Sequence, residues 1–371
     1  MRFRIIPLLV TASYTFLHGC GNEPAVTFPP YETPVERPCE KIEKIRGIGL
    51  GMIEDNRLPV NGYGSAQCAR AIEEIAGLGA EWVTVTPYAT MIDCEDTMIF
   101  PYFEFPPEKA RPMAVRAIRQ AKEAGLKVFI APHVYPWDWC WRGELRPGGG
   151  ETGTQEGWDA WFESYRATIM DAARMAADEN ADMLSIGLEL KSASSRFGYR
   201  FGALAEEIKT FFPGKLTYCA NWDEAADVAF WQHLDYIGVN AFYPMSDTGS
   251  AEPEEIIMVA QRIALELEEL SAIHGKPVIF TEVGFKALAG ALKEPWIWPE
   301  HVENPVVDNG IQALLFDITF RTYWGREWFG GLFVWRYMSD PSDYSQEPPF
   351  GYPPRLKPAE PIIETWFQCG I

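Results

Sequence analysis

Residues 183–191 read MLSIGLELK, a short apolar run that ends in the carboxylate of Glu189. Near-continuous apolarity over six residues is the pattern of a strand buried on both faces, because each side of its pleat then meets apolar neighbours. Just upstream, Trp158, Trp161, Phe162, Tyr165, Ile169 and Ala173 recur at three- and four-residue steps within 155–178. That spacing gives a helix one apolar stripe for a core to cover. A helix leading into a doubly buried strand is one unit of an alternating chain, and the unit repeats in both directions.

Comparable strand-like runs lie at 47–52 (GIGLGM), 81–86 (EWVTVT), 127–132 (KVFIAP), 215–220 (KLTYCA), 235–240 (DYIGVN), 277–282 (PVIFTE) and 330–336 (GGLFVWR). Helical stripes run through 66–77, 109–123, 254–273 and 306–323, with a clear helix at 201–212 and a short one at 224–232. Gly79, Gly125, Gly214 and Gly275 stand before strands, where a left-handed glycine ends a helix and turns the chain back. Strand and helix in alternation imply parallel strands joined by right-handed crossovers. Eight such units predict an α/β fold, a single (β/α)8 TIM barrel over 45–371 with long loops at its C-terminal face. A doubly wound open sheet is the competing fold, but no glycine-rich phosphate turn follows the first strand in GIGLGMIEDN.

The chain has 371 residues, 47% of them apolar and 14% aromatic, and a net charge of −20. Such an acidic surface disfavours nucleic acid and repels anionic substrates, which points to a neutral ligand. At the N-terminus, Arg2 and Arg4 precede IIPLLVTASYTFL, too short to span a bilayer, and the stretch ends in LHGC. This resembles a lipoprotein export signal over 1–20 with Cys20 as the lipidated residue, although His18 occupies a position where a small residue is usual. Residues 21–44 begin with a proline-rich stretch and read as a tether between membrane and domain. The expected location is the bacterial cell envelope, with the lipid as the only membrane contact; ordinary secretion is the alternative. Six further cysteines permit fifteen complete pairings in an oxidising compartment, and the sequence does not choose among them. Cys39 and Cys369 bracket the folded region, and Cys94 and Cys140 lie in loops that share one face of the predicted barrel.

In a barrel of this kind the ligand sits at the carboxyl ends of the strands. The third strand leads to His133, Trp137, Trp139, Trp141 and Arg142, and the fourth ends at Glu189. The fifth ends at Asn221 and Trp222, the sixth at Asn240 with Tyr243 beyond, the seventh at Glu282, and the eighth carries Trp335 and Arg336. Indole and phenol faces stack on the C–H face of a sugar, while Asn, His and Arg satisfy its hydroxyls. Two carboxylates flanking one bond are what glycoside hydrolysis needs: one gives a proton to the leaving oxygen, the other meets the charge developing at the anomeric carbon.

The segments APHVYPWDWCWRGE, WDAWFESYRATIMDAA, SIGLELKS, TYCANWDEA, WQHLDYIGVNAFYP, KPVIFTEVGFKALAGALKEPW and GGLFVWRY make the chain similar to family 113 of the glycoside hydrolases, the retaining β-mannanases of clan A. The resemblance implies that Glu189 is the acid/base and Glu282 the nucleophile. It also implies that Tyr243 touches the nucleophile, that Trp335 floors the subsite at the cleaved bond, and that His133, Trp141, Arg142, Asn221 and Trp222 line the cleft with Asn240. Most of the clan places Asn directly before the acid/base, against the sugar's 2-hydroxyl; here that residue is Leu188, and Asn221 is the candidate for the contact. The function expected is hydrolysis of β-1,4-mannan or a related β-linked polysaccharide or oligosaccharide by a monomer, with no cofactor and no metal.

Other readings compete. The same scaffold could bind glycan without cleaving it, or act on a different glucan or envelope glycan. Glu189 could cap a turn or pair with Lys191, and His133 could be a satisfied core histidine. Trp137, Trp139 and Trp141, three indoles within five residues of a loop, point to sugar stacking. Trp296 and Trp298 either line an outer subsite or pin their loop, and Arg336 either fixes a carboxylate or meets sugar hydroxyls. The long final loop at 337–354 reads as functional.

Overall fold

The computed structural model describes residues 43–51, 62–101, 107–338 and 347–368. The predicted export signal, Cys20, nearly all of the tether, the Cys39–Cys369 pair and residues 339–346 of the final loop lie outside them. Eight parallel strands close a barrel: β1 (Ile45–Leu50), β2 (Trp82–Val85), β5 (Lys127–Ile130), β7 (Met183–Leu188), β8 (Lys215–Asn221), β9 (Ile237–Asn240), β10 (Val278–Val283) and β11 (Phe329–Tyr337). The last strand pairs with the first, Gly47 opposite Phe333. A (β/α)8 TIM barrel is thus the fold.

Period-two alternation divides each strand between two cores. Ile45, Trp82, Phe129, Met183, Cys219, Ile279 and Phe333, from seven of the eight strands, form one cluster that fills the barrel. A β-carbon at Gly47 would lie 2.2 Å from the Phe333 ring, so that ring takes space which only glycine leaves open. The alternate residues, among them Ile48, Val83, Val128, Leu184, Leu216, Ile237, Phe280 and Leu332, pack outward on the helices. Both faces are therefore buried, which is why the strands read as unbroken apolar runs.

Around the barrel run α1 (Ala66–Gly77), α2 (Pro107–Glu123), α3 (Gln155–Asp178), α4 (Lys191–Lys209), α5 (Pro253–His274), α6 (Asn309–Tyr323) and α7 (Ala359–Gln368). Their starts are capped locally: Ser65 accepts from Cys68 N–H, Thr154 from Gly157 N–H and Asp308 from Ile311 N–H, each at 3.0 Å. The expected short helix at 224–232 is instead two 3₁₀ turns, Ala225–Asp227 and Trp231–His233. The helix expected at 201–212 starts ten residues earlier, at Lys191, and bends at Phe197. Gly79, Gly125 and Gly275 take positive φ as expected. Gly214 does not; a β-carbon there would meet the Phe212 ring at 2.4 Å, so close packing is what requires it.

Three short strands add a small sheet beside the barrel mouth. They are β3 (Tyr88–Met91), β4 (Phe100–Pro101) and β6 (His133–Pro136), in the order β4-β3-β6. β3 follows β2 and β6 follows β5 almost without a break, so the sheet carries one wall upward past the strand ends.

Candidate active site

Glu189 follows the last residue of β7 and takes φ +52°, a left-handed conformation unfavourable for any residue with a β-carbon. The backbone is held there from both sides. Glu189 N–H donates to the Cys219 carbonyl at 2.8 Å, and Leu190 N–H to the Tyr218 hydroxyl at 2.8 Å. That hydroxyl in turn donates to Glu224 at 2.6 Å. Glu224 is wholly buried and also accepts from the Ser194 hydroxyl and, at 3.0 Å, from Asn221 N–H. Burial pushes its carboxyl up to about 7 against the pull of those donors.

Glu282 lies one residue before the end of β10 and is buried. The pairing of β10 with β9 shifts register between Phe280 and Glu282, which sets Glu282 opposite Asn240. The Asn240 amide donates to Glu189 Oε1 at 2.9 Å and its carbonyl accepts from Thr281 Oγ1 at 2.8 Å. A path of contacts joins the two carboxylates. His133 Nε2 stands 3.5 Å from Glu282 Oε1, His133 Nδ1 stands 3.3 Å from an Arg142 nitrogen, and Arg142 Nε stands 3.7 Å from Glu189 Oε2. Glu189 and Glu282 are thus joined by one His–Arg bridge at the barrel mouth, with Asn240 bonded to Glu189 and opposite Glu282 in the strand pairing.

Burial, and then the neighbouring Glu189 charge, push the Glu282 carboxyl well above the usual carboxylate range, against Arg142 and Arg336. Burial and the two arginines keep His133 neutral. Arginine only donates, so Nδ1 must accept and the imidazole proton sits on Nε2, facing Glu282. At 3.5 Å that N–H lies just beyond hydrogen-bonding range.

Trp335 stacks on His133 with ring centres 6.2 Å apart and planes 13° apart, and clusters with Phe242 and Tyr352. Beneath it, Arg336 is bound to Glu347 at 2.9 Å, both side chains only 1% exposed. Arg336 therefore fixes a carboxylate of the final loop and is closed to sugar. Trp222 stacks on Trp296 at 5.7 Å and 20°, and Trp296 is exposed at the rim. Trp298 packs edge-on to Tyr352 and pins its loop. Trp141 remains partly exposed beside Arg142.

Three expectations change. Tyr243 makes no hydrogen bond with Glu282; its ring packs against Trp222 and against the outer core. The preceding residue, Phe242, takes the place beside Trp335. Asn221 commits its side-chain amide to Asp223 at 2.7 Å and its backbone to Glu224. Asn240, fully buried with its amide spent on Glu189 and Thr281, positions the carboxylates and offers sugar no free contact.

Cys94 and Cys140 form a disulfide, while Cys68 and Cys219 are free and buried. Sequence reasoning missed Glu224, Phe242, Glu347 and Tyr352. Glu224 lies in NWDEAAD, which reads as an acidic surface turn; the only hint is its place three residues beyond a strand end.

A model of glycoside hydrolase family 113 matches residues 59–348. No curated protein matches the chain in sequence. Among solved structures, the GH113 β-mannanase AaManA from Alicyclobacillus acidocaldarius, in complex with ManMIm, is similar at 24% identity and a TM-score of 0.75, covering 89% of this chain and 99% of its own. A GH113 β-1,4-mannanase solved as a complex has 23% identity and a TM-score of 0.74, covering 88% and 99%. A β-glucuronidase of Ruminococcus gnavus is more distant, at 13% identity and a TM-score of 0.59, covering 88% of this chain and 50% of its own. At these identities the structures establish a common fold.

Proposed function

The chain belongs to glycoside hydrolase family 113, and from that premise we propose that it is a retaining, endo-acting hydrolase of β-1,4-linked mannan. Glu189 is the acid/base and Glu282 the nucleophile. The observation that carries the reading is the path of contacts from Glu282 through His133 and Arg142 to Glu189, which brings both carboxylates to one end of the barrel.

In the first step a Glu282 oxygen bonds to the anomeric carbon while the Glu189 proton passes to the departing glycosidic oxygen, leaving a glycosyl ester on Glu282. In the second step water attacks the same carbon, gives its proton to Glu189 and frees Glu282. The chemistry needs Glu282 charged and Glu189 protonated. A bound sugar favours that arrangement, because its electron-poor anomeric carbon meets Glu282 and its glycosidic oxygen meets Glu189. Nε2–H of His133 and the Arg142 and Arg336 charges then stabilise the Glu282 carboxylate.

Mannan is the proposed polymer because the similar GH113 structures are of β-mannanases. The protein is further proposed to act as a monomer at the cell envelope, anchored through lipid on Cys20. The Cys94–Cys140 disulfide fits an oxidising compartment.

Glu189→Gln and Glu282→Gln are each expected to lower kcat by about a thousandfold on mannan oligosaccharides. Near-normal turnover by either variant would refute the assignment. A panel of mannan, glucomannan, xylan and cellulose, scored by product size and anomeric configuration, tests polymer, endo action and retention together.

A further inference from the structure

We infer that Trp139, presented by the Cys94–Cys140 disulfide, is an outer sugar-binding platform that gives the enzyme its preference for long chains. The inference deepens the proposed glycan-hydrolase reading and rests on it.

The segment from His133 to Arg142 begins and ends at the carboxylates: His133 faces Glu282, and Arg142 faces Glu189. Between those ends it runs outward as β6 and returns. Within β6, His133 and Tyr135 share a face, while Val134 packs into the outer core. At about 3.3 Å of rise per residue, Tyr135 stands roughly 7 Å further out along the cleft wall than His133. Trp139 meets the Tyr135 ring edge-on, with centres 5.4 Å apart and planes at 87°. The pair thus continues the aromatic wall that starts with His133 and Trp335.

Trp139 is costly where it is. The residue is 66% exposed and its backbone takes φ +68°. Neither feature stabilises the fold, and a bulky residue in the left-handed region persists only where its surroundings fix it. They do so closely. Trp137 N–H donates to the Met91 carbonyl at 2.8 Å, and Cys140 N–H to Asp138 Oδ1 at 3.0 Å. The disulfide then ties Cys140, the residue next to Trp139, to the buried Cys94. The result is a rigid, outward-facing indole continuous with the reaction centre. The ligand chemistry it suits is the C–H face of a neutral pyranose some way along the chain from the cleaved bond, and the −20 net charge agrees with a neutral polymer.

The test compares wild type, Trp139→Ala, Trp139→Phe and the double variant Cys94→Ser/Cys140→Ser on β-1,4-linked oligosaccharides of increasing length. Trp139→Ala is expected to raise KM about tenfold on the longest chains, leaving kcat and the shortest cleavable chain unchanged. Trp139→Phe keeps a ring and recovers most of the loss. The cysteine double variant, or the wild type reduced with dithiothreitol, shows the same length-dependent rise in KM. A loss equal at all lengths, or no loss, overturns the platform. An unaltered length profile in the cysteine variant overturns the disulfide's part. The series is run on whichever polymer of the panel the wild type cleaves, so a different sugar corrects the proposed substrate and leaves this test intact. A wild type that cleaves none of them sinks the hydrolase reading and the platform with it.

Discussion

Glu224 shows what one buried carboxyl contributes to a neighbouring site. It touches nothing at the barrel mouth directly, yet its oxygens gather Ser194, Tyr218 and Asn221, and through the Tyr218 hydroxyl it fixes the backbone just after Glu189. Its pKa is raised to about 7 from the ordinary 4.5, so the folded chain holds this proton more tightly than the unfolded one. The resulting stability is fully present below about pH 4.5 and is lost as pH rises through about 7. A gap of that size is worth roughly 3 kcal/mol. Glu282, also raised, acts in the same sense, so the comparison must isolate Glu224. Urea unfolding at pH 5 and pH 7.5 is expected to show the wild type losing stability across the interval and Glu224→Gln losing clearly less. Equal slopes would mean that Glu224 titrates alike in both states.

At the level of elements, the strands were legible because burial on both faces leaves a mark that needs no partner to read. The eight barrel runs and most of the helices follow from that mark. β3 and β6 did not show, since four residues, one of them proline in β6, are too few to establish a period. The turn pair after β8 replaced a helix that the sequence could suggest only weakly. Within the site, Glu189 and Glu282 were legible as charges terminating apolar strands. Asn240's positioning part depends on strand register, which appears only once neighbouring strands pair, and Tyr243 lies beyond the last residue of β9, where no strand period orients it. The Arg336–Glu347 bond spans eleven residues, joining β11 to the loop that follows it, and no local pattern in the sequence marks it. With both side chains 1% exposed, removing one partner strands a buried charge at a cost of roughly 3–5 kcal/mol. Glu347→Ala is therefore expected to lose that much in denaturant unfolding, and Arg336→Met/Glu347→Met to regain a large part. A loss under about 1 kcal/mol in the single variant would show that the pair is not desolvated as described.

For the whole molecule, charge and attachment bear on one another. A protein of net charge −20 gains nothing from an anionic bilayer surface, which attracts basic segments and repels acidic ones. If the protein is held at a membrane, the hold must come from buried hydrocarbon, worth about 0.8 kcal/mol per methylene, and not from charge. The proposed lipid on Cys20 supplies such a hold. Two washes separate the possibilities in cells that express the full chain. High salt is expected to leave the wild type in the membrane fraction, because no ionic attachment exists to screen, while detergent releases it. Cys20→Ala is expected to move the protein to the soluble fraction with kcat on short oligosaccharides unchanged, since the residue lies far along the chain from the barrel. Release of the wild type by salt alone, or continued membrane retention of Cys20→Ala, would show that something other than lipid on Cys20 determines where the enzyme works.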